Sequence, residues 1–213
     1  SKIEEVWKYV GQNGVPHVWI GRTPFQQLWI QWVSMMDLSF HMADDPVLLG
    51  EVTDLLGEVL VKAAETTIQI SKQVEIPYLV IGDNITAPLI GPERFKKYCL
   101  PYYKKVSKII SEIDIPLVVH MDGDLKPLWH LIKDSGVGAL DSFSPPPDND
   151  TSAAVALQNW PNMKLLLNFP SSIHLENEET IYKKTMEILD EAGATGNLQI
   201  QISENPPPNC WRK

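Results

Sequence analysis

Apolar positions along the chain keep two alternating rhythms: short runs of about five residues, and longer stretches that repeat at helical spacing. The short runs are Val15 to Ile20, Pro77 to Ile81, Pro116 to His120, Val137 to Asp141, Lys164 to Asn168 and Leu198 to Ile202, and they read as strands. The longer stretches read as helices over Phe25 to Met42, Asp45 to Val74, Gly91 to Ile113, Leu125 to Ser135, Ser152 to Asn159 and Glu178 to Ala192. Thr23 is placed as N-cap of the first of these with Pro24 in its first turn, and Pro101 is expected to bend the third. In the second, Leu48, Leu49, Val52, Leu55, Leu56, Val59 and Leu60 keep helical spacing. Alternation of short strands with longer helices is the pattern of parallel βα units.

Each strand has a polar residue just beyond its carboxyl end: Arg22, Asp83, His120 with Asp122, Asp141, Asn168 and Glu204. In a βα barrel such ends share one mouth, where sites are built, whereas in an open doubly wound sheet they spread along a crest. The stretch richest in chemistry is Val118-Val-His-Met-Asp-Gly-Asp124, where a buried strand delivers an imidazole and two carboxylates at its carboxyl end. Residues two apart on a strand share a face, which pairs His120 with Asp122 as metal ligands, as an acid/base pair or as an orienting hydrogen bond. The other histidines read otherwise: His17 as a hydrogen-bonded core residue, His41 and His130 as helical and structural or solvated, His174 as close enough to the Asn168 loop to be an outside candidate for the mouth. Trp29, Trp32, Met35 and Met36 read as core.

Composition narrows the classes. Apolar residues make up 44% and charged ones 21%, an ordinary globular balance, and the net charge of −9 disfavours nucleic acid and anionic membrane as partners. Cys99 and Cys210 cannot make a disulfide framework, and no signal peptide or long apolar run is present, so a cytoplasmic protein is expected. Neither GxGxxG nor GxxxxGK[ST] occurs. The chain opens inside a helix and stops at Cys210-Trp-Arg-Lys213, so it is expected to be a piece of a longer protein.

Gly82-Asp83-Asn84, Ile90-Gly-Pro-Glu-Arg-Phe95, Leu100-Pro-Tyr-Tyr-Lys104, Val118 to Asp124, Gly136-Val-Gly-Ala139 and Ser203-Glu204-Asn205 follow one another in an order that resembles the uroporphyrinogen decarboxylase superfamily, which includes decarboxylases and corrinoid-dependent methyltransferases. The resemblance implies a TIM (β/α)8 barrel, incomplete here with about six strands, formed by residues 1–213 as one domain that lacks the N-terminal strand or strands and the C-terminal helix. Thiol-activating methyltransferases of the superfamily carry a His-x-Cys zinc motif, and it falls on His120-Met121-Asp122, with Glu204 near the later ligand position. It implies His120, Asp122 and Glu204 as ligands for zinc or another divalent metal. In this reading His120, Asp122 and Asp83 are catalytic, and Arg22, Asp141 and Asn168 bind substrate.

Three functions are carried forward. The first is a methyltransferase acting with a corrinoid protein on a small-molecule substrate. The second is a decarboxylase (lyase) of a tetrapyrrole or small carboxylic acid, and the third a non-catalytic module that binds a ligand or a corrinoid protein. A barrel lacking strands exposes edges, so a further segment, a homo-oligomer or another chain is expected to cover them.

Overall fold

The computed structural model describes residues 2–202, so Glu204 lies outside the described residues. The strands are β1 (Val18–Trp19), β2 (Leu79–Ile81), β3 (Leu117–His120), β4 (Ala139–Phe143), β5 (Lys164–Phe169) and β6 (Leu198–Ile202). The helices are α1 (Lys2–Val10), α2 (Pro24–Gln27), α3 (Met35–Asp44), α4 (Pro46–Ser71), α5 (Ala87–Tyr98), α6 (Leu100–Ile110), α7 (Trp129–Lys133), α8 (Ala153–Asn159) and α9 (Glu178–Ala192). The six strands lie in one sheet whose order is the chain order, β1 to β6. Residues 2–83, 93–119 and 135–137 form one compact unit, and residues 84–92, 120–134 and 138–202 a second.

In the first unit β1 pairs with β2 and β2 with β3, both in parallel. Leu79, Val80 and Ile81 are buried on both faces, as a parallel strand covered by helices requires. Helix α4 begins where the Asp45 side chain accepts the Leu48 backbone N–H at 3.0 Å. It buries Leu49, Leu60, Ala64 and Ile68, and it packs on α6. At the crossing, Gly57 leaves room for the Tyr102 ring, whose hydroxyl donates to the Thr53 carbonyl at 3.0 Å.

In the second unit β4 pairs with β5 and β5 with β6, also in parallel. Its core is Met121, Leu125, Leu140, Phe143, Leu165 and Leu167, with Ile188 from α9. Burial of each large apolar side chain contributes about 1.5–3 kcal/mol. The bounds of α9 and β6 are those expected from the sequence.

Several expectations are corrected. The first strand shrinks to Val18–Trp19, because Pro16 lacks the N–H that a ladder needs, and His17 is exposed rather than core; it bonds Trp19 and lies 3.2 Å from the Tyr78 hydroxyl. The segment Phe25 to Met42 is not one helix. A π-turn over Leu28–Trp32 ends at extended Val33, and Ser34 caps a new helix by accepting from the Asp37 N–H at 3.1 Å. Trp32 and Met36, read as core, are exposed. The third helix starts earlier, kinks at Gly91 (φ 63°) and breaks at Cys99, so that Pro101 sits in the first turn of α6 instead of bending a continuous helix. Residues Leu125 to Ser135 form a 3-10 turn over Lys126–Leu128 followed by the short α7. The fourth strand begins at Ala139 and runs on to Phe143, which puts Asp141 inside β4 and not beyond its end.

Candidate functional site

In the second unit, His120 is the last residue of β3 and is 9% exposed. The next backbone N–H, that of Met121, donates to the Asp141 carbonyl at 3.0 Å and ties the end of β3 to β4. Immediately after Asp141 the β4–β5 register shifts, with Ser142 in the left-handed region at φ 56°. A bulge of this kind turns a strand's side chains away from strict alternation. The Asp141 carboxylate accepts from His120 Nδ1 at 2.8 Å, and Asp122 Oδ2 stands 3.7 Å from Nε2, an ion-pair distance.

The turn that carries Asp122 is held at four points. The Gly123 N–H donates to the Ile85 carbonyl at 3.1 Å, the Ala87 N–H to the Asp124 carbonyl at 2.8 Å, and the Asn149 side chain to the Asp122 carbonyl at 2.7 Å. The Asp150 carboxylate accepts the Leu125 N–H at 2.9 Å. A side chain at position 123 would place its Cβ 2.2 Å from that of Thr86, so only glycine fits.

Burial alone would lower the His120 pKa. Hydrogen bonding and charge from Asp122 and Asp141 outweigh it and raise the value to about 9. At neutral pH the group is an imidazolium between two carboxylates, able to donate a proton or to stabilise developing negative charge.

Asn168 lies on β5. Its Nδ2 donates to the Ser142 carbonyl at 3.4 Å and to Ser144 Oγ at 3.5 Å, while its Oδ1 accepts from Gln201 at 2.9 Å. Ser142, Ser144 and Gln201 were not singled out from the sequence; the alternation Leu-Gln-Ile-Gln-Ile over β6 was the available signal for Gln201. His174 is buried against Phe169, with ring centroids 5.1 Å apart.

Arg22 and Asp83 belong to the first unit. The Asp83 carboxylate is fully buried and accepts from the Thr23 N–H (2.8 Å), the Thr23 hydroxyl (2.7 Å) and the Tyr103 hydroxyl (2.6 Å). Thr23 stands at the N-cap position of α2 without capping it through its side chain, which is committed to Asp83. Burial raises the Asp83 pKa, opposed by hydrogen bonds from Tyr103 and Thr23 and by the charge of Arg22. The thiol of neighbouring Cys99 is pushed well up by burial and then by the Asp83 charge, which makes it unreactive.

For a divalent metal, His120 Nε2 and Asp122 are two suitable donors, and the Asp141 bond to Nδ1 is the kind of contact that orients a ligating imidazole. Among the described residues no group of three metal-binding side chains converges. The described residues therefore fall short of a complete metal site.

Known proteins resemble the chain as follows. The family model of uroporphyrinogen decarboxylase (URO-D) matches residues 34–200. The methylcobamide:CoM methyltransferase MtbA of Methanosarcina mazei is 33% identical over 61 residues, which are 29% of this chain and 18% of MtbA. A methyltransferase structure from Methanosarcina mazei superposes with a TM-score of 0.69 at 17% identity, over 98% of this chain and 58% of its own. A Listeria monocytogenes structure described as a vitamin-B12-independent methionine synthase gives 0.53 at 17% identity, over 92% of this chain and 58% of its own. The chain thus spans a little over half the length of these solved relatives, and at such identities the likeness is one of fold.

Proposed function

Because the chain belongs to the uroporphyrinogen decarboxylase family, we propose that it is a methyl-transferring member, with His120 as its acid/base group. The observation that carries this reading is the 2.8 Å contact of His120 Nδ1 with Asp141, set against Asp122 on the side of the other nitrogen. Retaining its proton to about pH 9, His120 is a general acid at neutral pH. It donates to the heteroatom from which a methyl group departs, so that the leaving group goes as a neutral species. Asp141 fixes which nitrogen faces the substrate, Asp122 stabilises the charged ring, and Asn168 offers an amide held by Gln201. Asp83, enclosed by Thr23 and Tyr103, and Arg22 belong to the other unit and take no part in this reading.

The limited identity to MtbA, named for a methylcobamide substrate, supports a corrinoid-bearing protein as partner. Methyl transfer from small methylated amines, ethers or thioethers to cob(I)alamin, in which the cobalt takes the methyl group and the heteroatom takes the His120 proton, tests the reading and is followed by the cobalt absorbance change. Activity in the wild-type protein that falls about a hundredfold or more in His120→Ala supports it; equal rates in the two proteins sink it.

The same imidazolium favours a second reading, decarboxylation, in which His120 protonates the carbanion left by loss of carbon dioxide. Release of carbon dioxide from small or tetrapyrrolic acids, without methyl transfer, would select that reading.

A further inference from the structure

Helix α4 is apolar on two faces, and the interior of its unit uses only one. Leu49, Leu60, Ala64 and Ile68 are buried. Rotated about 130° around the axis runs a second stripe, Leu48, Leu55 and Val59, exposed by 53%, 63% and 63%, with half-buried Val52 between them. Helix α3, packed against α4, adds Met36 and Phe40 one turn apart, also exposed. A surface helix normally turns its outer face to water with charged or polar side chains, and contiguous exposed apolar surface marks interaction sites.

Charge specifies the occupant. From Thr23 to Val61 the sequence holds six acidic residues and no lysine or arginine. Three of the acids, Glu51, Asp54 and Glu58, are exposed along one flank of the α4 stripe. A second copy docking face to face would set acids against acids, and an anionic membrane surface would be repelled. The stripe from Leu48 to Val59 is about 17 Å long, three turns of a partner helix.

We propose that this face of α3 and α4 docks a basic amphipathic helix of a partner protein, its apolar stripe on Leu48, Leu55 and Val59 and its lysines or arginines along Glu51, Asp54 and Glu58. Recognition follows the helix-in-groove mode, with apolar anchors for affinity and the charged flank for orientation. The surface is independent of His120, so its test and the methyl-transfer test succeed or fail separately.

The probe is a synthetic, fluorescently labelled helix about 15 residues long, leucine on one face and lysine along its flank, beside a twin with glutamate in place of lysine. Both are titrated by anisotropy against the full chain. The lysine helix should bind, weaken about tenfold or more with Leu55→Asp plus Val59→Asp, weaken with Glu51→Lys plus Glu58→Lys, and weaken with salt; the glutamate twin should not bind. All four positions are exposed, and matching circular-dichroism melts confirm that the variants fold. The proposal is overturned if the two helices bind alike or the variants bind as wild type does. It is also overturned if sedimentation shows a self-associated chain that Leu55→Asp dissociates, or if neutral vesicles bind through this face. Footprinting that finds Leu55 and Val59 covered in the natural full-length protein without a partner overturns it too.

Discussion

An imidazole held between two carboxylates couples proton binding to folding, and His120 makes that coupling measurable. Its folded-state pKa, about 9, lies above the ordinary 6.5, so its contribution to stability is fully present below about pH 6.5 and is lost as pH rises through about 9. The contribution is at most about 3 kcal/mol, reduced because Asp122 is partly in water. Thermal melts between pH 6 and pH 10 should therefore fall more steeply for wild type than for His120→Gln. The ring's NMR titration should sit near pH 9 and drop in Asp141→Asn; a wild-type midpoint near 6.5 would contradict the described geometry. His120 and Asp122 were legible in the sequence because they sit two residues apart at a strand end. The direct partner was read as a substrate ligand, since Asp141 lies 21 residues on and a bulge follows it. Likewise the residues that enclose Asp83 come from 60 and 20 residues away, a distance over which no local periodicity carries information.

At the scale of elements, close approach decides two positions. A Cβ at Gly57 would lie 2.3 Å from Tyr102 Cε1, and the Tyr102 hydroxyl is bound to the Thr53 carbonyl, so the ring has little freedom to retreat. Gly57→Ala should lower stability by about 1–2 kcal/mol in urea unfolding, although alanine is the better helix former by about 1 kcal/mol. Adding Tyr102→Leu should recover most of the loss. Ser142, at φ 56°, follows the opposite rule: Ser142→Gly should change stability by less than about 1 kcal/mol, whereas Ser142→Val should cost about 1–3 kcal/mol and loosen the His120–Asp141 bond. Elements with clear ends were legible: α4 from Asp45-Pro46, α9 from the acids of its first turn, β6 from its alternation. The segment from Phe25 to Met42 misled because apolar residues recur on both sides of Ser34 with no glycine or proline to mark the break. Exposed Trp32, Met36 and Phe40 show that an apolar side chain reports preference for burial, not burial itself.

For the molecule as a whole, alternation of strand and helix was enough to establish a parallel α/β architecture, and the order of its motifs pointed to the family whose model matches residues 34–200. No helix among the described residues is long and apolar enough to cross a membrane. The sheet order, identical to the chain order, also sets a timetable for folding. Joining β4 to β5 closes the segment 144–163, whereas joining β1 to β2 must close 20–78, about three times longer and dearer by about 1 kcal/mol in chain entropy. β1 then gains only two residues of ladder in return. In pulsed hydrogen exchange during refolding, amides of β4 and β5 should become protected well before those of β1; simultaneous protection would contradict this order. Among these six strands β1 is thus the last to be sealed and the first to reopen, so the long connection from β1 to β2 is where local opening begins.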